Sequence, residues 1–229
     1  MSEPSTTGSL LALWDIDGTL LSPAGGGNED YELAIARVFP DAQLPDVHTH
    51  GKTDRQVVEE YLEGAGLDRA DAPLVFEQLD IISQKYLTDG GRIPALPGVE
   101  EALERLTAAG FSNGLLTGNT PARAINKLSG AGLDTTKLSW AESFFGINAP
   151  RRPVVTANAR KRFPGRTIVI IGDTPLDGEA ANAAGFAFIG VTTGMFDAES
   201  LQEVGAHLVI DDLVSGIGAL EAALLELSA

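Results

Sequence analysis

The chain is expected to adopt an α/β fold: a doubly wound parallel sheet with helices on both faces, and a helical segment inserted after the first strand. Three observations predict it. Several short runs are apolar almost without a break, helical patterns lie between them, and one long stretch after the first run has helical spacing but no good strand. Strands covered on both faces read as continuous apolar runs rather than alternating ones. Alternation of such strands with helices signals a parallel sheet. At 229 residues the chain suits one full-sized domain carrying a smaller insertion, given roughly 100 to 200 residues per domain.

The first strand is LLALWDI, residues 10–16. PAGGGN (23–28) then reads as a hinge or linker, as does GGRIPALPG (90–98), because glycine and proline clusters interrupt periodic structure. Between them NEDYELAIARVF (28–39), TDRQVVEEYLEGAG (53–66) and APLVFEQLDIISQKYL (72–87) carry apolar residues at helical spacing. Thr53 with Gln56 three residues on predicts a capping box at the second of these. Residues 24–92 therefore read as a helical insertion on a sheet domain made of 1–23 and 93–229, the competing reading being the same helices packed rigidly on one face. EEALERLTAAG (100–110) follows, with Leu103 and Leu106 on one face, Glu101 four before Arg105, and Gly110 where a C-terminal cap belongs. The strand FSNGLLT (111–117) leads into TPARAINKLSGAG, where Thr120 is placed as N-cap and Pro121 as the first helical residue. TIVIIGD (167–173), FAFIGV (186–191) and HLVI (207–210) complete five predicted strands.

Composition narrows the function. Hydrophobic residues at 44% and charged residues at 21% are ordinary for a globular protein. A formal charge of −16 argues against nucleic acid, whose binding depends on Lys and Arg neutralising phosphates. The opening MSEPSTTGS is polar, carries Glu3 and has no basic run, so neither a signal peptide nor a membrane span is expected and a cytoplasmic location is. The absence of cysteine excludes disulfides and thiol catalysis.

The strand exits are the informative feature. Asp15 and Asp17 stand two apart at the end of the first strand, so strand alternation would turn both the same way. The carboxyl edge of an open parallel sheet is where ligands bind. Two close carboxylates in a partly dry site need a shared proton or a cation, and a hard ion such as Mg²⁺ suits oxygen ligands. An Asx-type turn at DIDG explains the pair without function. The strand ending in Thr117 is followed by Gly118, Asn119 and a helix start, where hydroxyl and N–H donors suit an anionic oxygen such as a phosphoryl oxygen. A third exit, GDTPLDGEAA, sets Asp173 and Asp177 four apart; Asp173 could supply a further metal ligand, and Asp177 direct or supporting contact.

In order, DIDGTL (15–20), a helical insertion, LLTGN (115–119) and GDTPLD (172–177) resemble the haloacid dehalogenase-like hydrolases, and within them the phosphoglycolate phosphatase-like members with a helical cap after the first strand. The resemblance spans nearly the whole chain. It implies a Rossmann-like core with an inserted α-helical cap domain, and a Mg²⁺-dependent phosphatase acting on small-molecule phosphoesters. By the same likeness Asp15 is the nucleophile forming an aspartyl-phosphate and Asp17 the proton donor and acceptor. Mg²⁺ is expected on the Asp15 carboxylate, the Asp17 carbonyl and Asp173, with Asp177 in support. Thr117 and the N–H of Gly118 or Asn119 are expected to hold phosphoryl oxygens. The family commonly has a lysine before the GD motif; here NAPRRPVVTANARKRF offers Arg152 as the candidate, with Arg151 and Lys161 as rivals.

Substrate choice in the likeness comes from the cap. HTHGKTDRQ (48–56) carries Lys52 and Arg55 beside a helix start, and Lys52 is the candidate for an anionic leaving group. His48 and His50 read as loop or core residues rather than a metal pair, and Tyr31 and Trp14 as packing residues. A haloacid dehalogenase, a sugar phosphomutase and a partner-binding module stay open as alternatives. EDTA-insensitive chloride release, an isomerised sugar phosphate, or no turnover at all would point to each in turn. Oligomeric state is not specified by the sequence.

Overall fold

A computed structural model describes residues 10–23 and 28–228. The linker expected at 23–28 thus lies mostly outside the described residues. Six strands form one parallel sheet: β1 (Leu11–Trp14), β2 (Ser112–Thr117), β3 (Phe144–Phe145), β4 (Ile168–Gly172), β5 (Ala187–Val191) and β6 (Leu208–Ile210). Their order is β3-β2-β1-β4-β5-β6. Every neighbouring pair is parallel, with Leu11 level with Ser112 on one side and Ile168 on the other. This is the doubly wound order in which the sequence direction reverses at β1, leaving a crevice at the carboxyl ends beside it.

The helices are α1 (Asn28–Val38), α2 (Asp54–Gly64), α3 (Ala72–Thr88), α4 (Val99–Ala108), α5 (Pro121–Gly130), α6 (Arg152–Arg162), α7 (Pro175–Ala184), α8 (Ala198–Glu203) and α9 (Ile217–Ser228). The sheet is covered on both faces, and the period-two split is visible in β1. Leu10, Ala12, Trp14 and Ile16 pack with α4, α5 and α9, while Leu11 and Leu13 pack with Val155, Ala159 and Ala181 of α6 and α7. Helices α1 to α3 build a separate apolar cluster from Ala34, Val58, Tyr61, Val75 and Leu79 among others. The two chain connections to this cluster run side by side: Leu21 bridges Ala95 in antiparallel fashion, Ser22 N–H donates to Pro94 at 2.9 Å and Leu96 N–H to Leu20 at 3.0 Å. No helix among the described residues is long and apolar enough to cross a membrane.

Capping follows the expected chemistry with one exception. The Thr120 side chain accepts from Arg123 N–H, and Pro121 opens α5. Gly110 takes the left-handed conformation just past α4, at φ 86°. At α2 only half of the predicted capping box forms: Thr53 accepts from Gln56 N–H, but the Gln56 amide turns to Glu60 at 2.9 Å. Strand β3 is not among the predicted strands, because its two half-buried residues are too few to show any periodicity.

Candidate active site

Strand exits β1, β2 and β4 lie side by side and bring Asp15, Asp17, Lys52, Gly118, Asn119, Arg152 and Asp173 to the wall of one cavity of about 130 Å³, while Thr117 and Asp177 stand behind that wall, bonded to Asn119 and Arg152. Asp15 leaves β1 with its N–H bonded to Ile171 of β4 at 2.9 Å, so its backbone is fixed by the sheet. Asp173 follows β4 and accepts from Thr19 Oγ1 at 3.2 Å. Asp177 lies in the first turn of α7, where Thr174 forms a reciprocal capping box with it. Asp15, Asp173 and Asp177 each offer a carboxylate oxygen within 4.8 Å of the others, and all three are buried.

Arg152 is the basic residue at this cluster. It is the first residue of α6, just before Pro153, and is 6% exposed. Its Nη2 donates to Asp15 Oδ1 at 3.2 Å, its Nη1 to Asp177 Oδ1, and its Nε to the Gly51 carbonyl at 2.7 Å. Its two rivals are exposed: Arg151 caps the helix start and Lys161 sits in its last turn.

Asp15 and Asp17 both line the cavity, but their carboxylates have different partners. Regular strand ends at Trp14, and the chain then turns through Gly18, whose φ is 90°. A side chain there is excluded twice over, by the left-handed backbone and because a Cβ would fall 2.2 Å from Asp173 Oδ2. The Asp17 carboxylate faces α5: Lys127 Nζ donates to both its oxygens at 2.8 Å, and Asn119 Nδ2 to Oδ2 at 2.8 Å. Both aspartates line the cavity, but only Asp15 belongs to the three-acid cluster.

On the β2 side, Thr117 Oγ1 accepts from the Asn119 N–H at 3.2 Å and from its side-chain amide at 2.8 Å. Gly118 allows a close approach: a Cβ there would lie 2.4 Å from the Lys52 carbonyl, and its own carbonyl accepts from Asp54 N–H at 2.8 Å. Lys52 lines the cavity, yet its ammonium is bonded to Glu60 at 2.6 Å. Arg55 pairs with Glu59 at 2.7 Å. His48 and His50 lie ring to ring, 5.3 Å between centroids. Trp14 is a packing residue whose Nε1 donates to Asn113 at 3.0 Å.

Tyr31 packs as expected, in the apolar cluster of α1 to α3 with its ring stacked on Tyr61 at 6.5 Å, and has a polar role besides. It lines the cavity, donates to Asp54 Oδ1 at 2.6 Å and accepts from Arg123 Nη1 at 3.2 Å. Arg123 also donates to Asp54 Oδ1 at 2.6 Å. Asp54, Arg123 and Lys127 are not among the residues that the sequence singles out. A signal existed: Arg123 and Lys127 stand four apart on α5, flanking the buried stripe of Ala124 and Leu128, which aims two cations inward.

The electrostatics are set by burial. Asp15 is pushed up to about 7 chiefly by desolvation, with Arg152 opposing and Asp177 and Asp17 adding to the rise. Desolvation, then Asp15 and Asp177, push Asp173 up to about 8. Asp17 moves the other way: burial raises it, but Lys127 and Asn119 outweigh burial and its carboxyl sits below the usual range. Three buried acids facing one guanidinium leave room for more positive charge. An all-oxygen donor set of this kind fits a hard divalent cation.

A family model described as HAD-hydrolase-like matches residues 148–215. The probable phosphatase IndB of Dickeya dadantii is 30% identical over 236 residues, covering 95% of this chain and 96% of its own. The phosphoglycolate phosphatase of Pseudomonas putida is 29% identical over 221 residues, covering 89% of this chain and 76% of its own. Among solved structures, a hydrolase from Pseudomonas syringae superposes with a TM-score of 0.70 at 20% identity, over 93% of this chain and 99% of that one, a likeness of fold.

Proposed function

The chain belongs to the haloacid dehalogenase-like hydrolases, as a phosphatase of the phosphoglycolate phosphatase-like group, and from that premise we propose a Mg²⁺-dependent phosphomonoesterase for small, phosphoglycolate-like phosphoesters. The observation that carries the reading is the buried cluster of Asp15, Asp173 and Asp177 bound to Arg152 beside Thr117, Gly118 and Asn119.

In this reading an Asp15 carboxylate oxygen attacks phosphorus, the ester P–O bond breaks, and Asp17, which takes up a proton when the anionic substrate binds although Lys127 and Asn119 favour its ionised form before that, gives this proton to the departing oxygen. A water then attacks the aspartyl-phosphate while losing its proton to Asp17, and phosphate leaves with Asp15 restored. Arg152 and the donors of Thr117, Gly118 and Asn119 meet the phosphoryl oxygens, fixed in advance by the sheet. Mg²⁺ would be held by Asp15, the Asp17 carbonyl and Asp173, and supplies charge that offsets the acids and the phosphoryl group. Asp177 has both oxygens engaged, one by Arg152 and one by Thr174, which suits it to orienting the arginine. Residues 24–92 act as the cap domain over a core of 1–23 and 93–229, with Lys52 on the leaving-group side of the cavity.

The test is phosphate release from a panel of phosphometabolites, phosphoglycolate included, with Mg²⁺ or with EDTA. Turnover should need Mg²⁺, and Asp15→Asn should lose about 10³-fold or more while still unfolding cooperatively. Wild-type turnover by Asp15→Asn, or turnover indifferent to EDTA, overturns the reading.

A further inference from the structure

Lys127 is the cation whose geometry the family reading leaves unexplained. Its ammonium has three N–H donors, and three acceptors stand at 2.8 Å: Asp17 Oδ1, Asp17 Oδ2 and Asn119 Oδ1. A substrate anion could take this ammonium only by displacing one of them. Asn119 closes the ring, its amide donating to Asp17 Oδ2 and to Thr117 Oγ1, both at 2.8 Å. The unit ties Asp17 to the donors expected to hold the phosphoryl group.

We propose that Lys127 is the positioning residue for Asp17, holding its carboxylate apart from the three-acid cluster and against the Thr117–Asn119 segment. The inference rests on the reading of Asp17 as proton donor. Without Lys127, Oδ1 of Asp17 loses its partner and Oδ2 keeps only Asn119. The Asp17 side chain is 39% exposed, and among the described residues these bonds are what hold its carboxylate in place. A mere surface ion pair would matter little; this one fixes a reacting group, and misplacing such a group is costly.

Proton donation matters for an alkoxide leaving group and little for p-nitrophenolate, which departs unprotonated. The value of kcat/KM covers steps only up to departure, so the ratio of kcat/KM for glycerol 2-phosphate to that for p-nitrophenyl phosphate isolates the proton donor's contribution. Lys127→Met should lower this ratio by about 30-fold, part of the roughly 10²–10⁴ that general acid catalysis supplies, and Asp17→Asn should lower it at least as far. The loss in Lys127→Met should fall on kcat more than on KM, and Lys127→Arg should recover part of it. If Lys127→Met does not fold, Lys127→Gln is measured for the same ratio. A ratio that falls in Asp17→Asn but stays at the wild-type value in the Lys127 variants overturns the proposal and leaves the reading of Asp17 standing. So does a Lys127 variant whose only change is a higher KM, since that marks a substrate-binding cation. A ratio that Asp17→Asn does not move overturns the reading of Asp17 itself.

Discussion

Removing the Asp54 carboxylate should cost far more than a typical surface charge. Asp54 opens α2, and its oxygens accept from Arg123 Nη1 at 2.6 Å, Tyr31 Oη at 2.6 Å and the Thr120 N–H at 2.8 Å. The Asp54 and Arg123 side chains are each 3% exposed. In Asp54→Ala the guanidinium stays buried, with the Tyr31 hydroxyl at 3.2 Å, Asp30 at 3.6 Å and the Tyr31 ring at 5.1 Å as its remaining company. Breaking one side of a buried pair costs about 3–5 kcal/mol, and at this chain length each kcal/mol moves Tm by roughly 2–4 °C, so the melt should fall by roughly 6–20 °C. The double variant Asp54→Leu/Arg123→Met removes both charges and should recover much of the loss, because most of that loss comes from the stranded charge. Circular dichroism melts of the wild type, both single variants and the double variant measure it. A fall under about 3 °C in Asp54→Ala, or a double variant no more stable than the summed single losses, refutes the argument.

The site yields two further expected outcomes. Gly18→Ala should lose activity at least about tenfold and lower Tm, since a strained φ costs of order 1–3 kcal/mol and its Cβ would press on Asp173; kinetics at several Mg²⁺ concentrations should show a raised Mg²⁺ requirement. In EDTA the wild type should become less stable as pH rises from about 4 to about 7, the interval between the ordinary and raised values of Asp15. There the folded state binds more protons than the unfolded one, so unfolding becomes easier with pH. Asp15→Asn should flatten that slope, and melts across the interval in which the two proteins run parallel would contradict it.

Much of this arrangement can be read from residues alone because burial on both faces leaves a plain mark. LALW, IVIIG and AFIGV are continuous apolar runs, and their ends locate the sheet edge where Asp15 and Asp173 stand. Arg152 is legible through the family likeness, which expects a cation before the GD motif, with Pro153 marking the helix start beside it. The partners of Asp17 are not legible, since Asn119 and Lys127 lie 102 and 110 positions away in sequence. Tyr31, Asp54 and Arg123 meet across 92 positions of sequence, and no local spacing encodes the contact. The ion pair of Lys52 is not legible either: its partner Glu60 lies eight residues on, where a charge on α2 can reach back.

The partners of the cations also decide which of them can respond to a phosphoryl group. Net charge of −16 repels a dianion at long range, so capture depends on charge released locally. Lys52 is bonded to Glu60 at 2.6 Å, Arg123 to Asp54 at 2.6 Å, and Lys127 has three acceptors at 2.8 Å. Arg152 differs: Asp177 and the Gly51 carbonyl grip Nη1 and Nε from behind, while Nη2 reaches Asp15 at 3.2 Å, longer than those three pairs. In the proposed reading an incoming phosphoryl oxygen would replace that bond, freeing the Asp15 oxygen to act on phosphorus while the guanidinium keeps its orientation from the other two contacts.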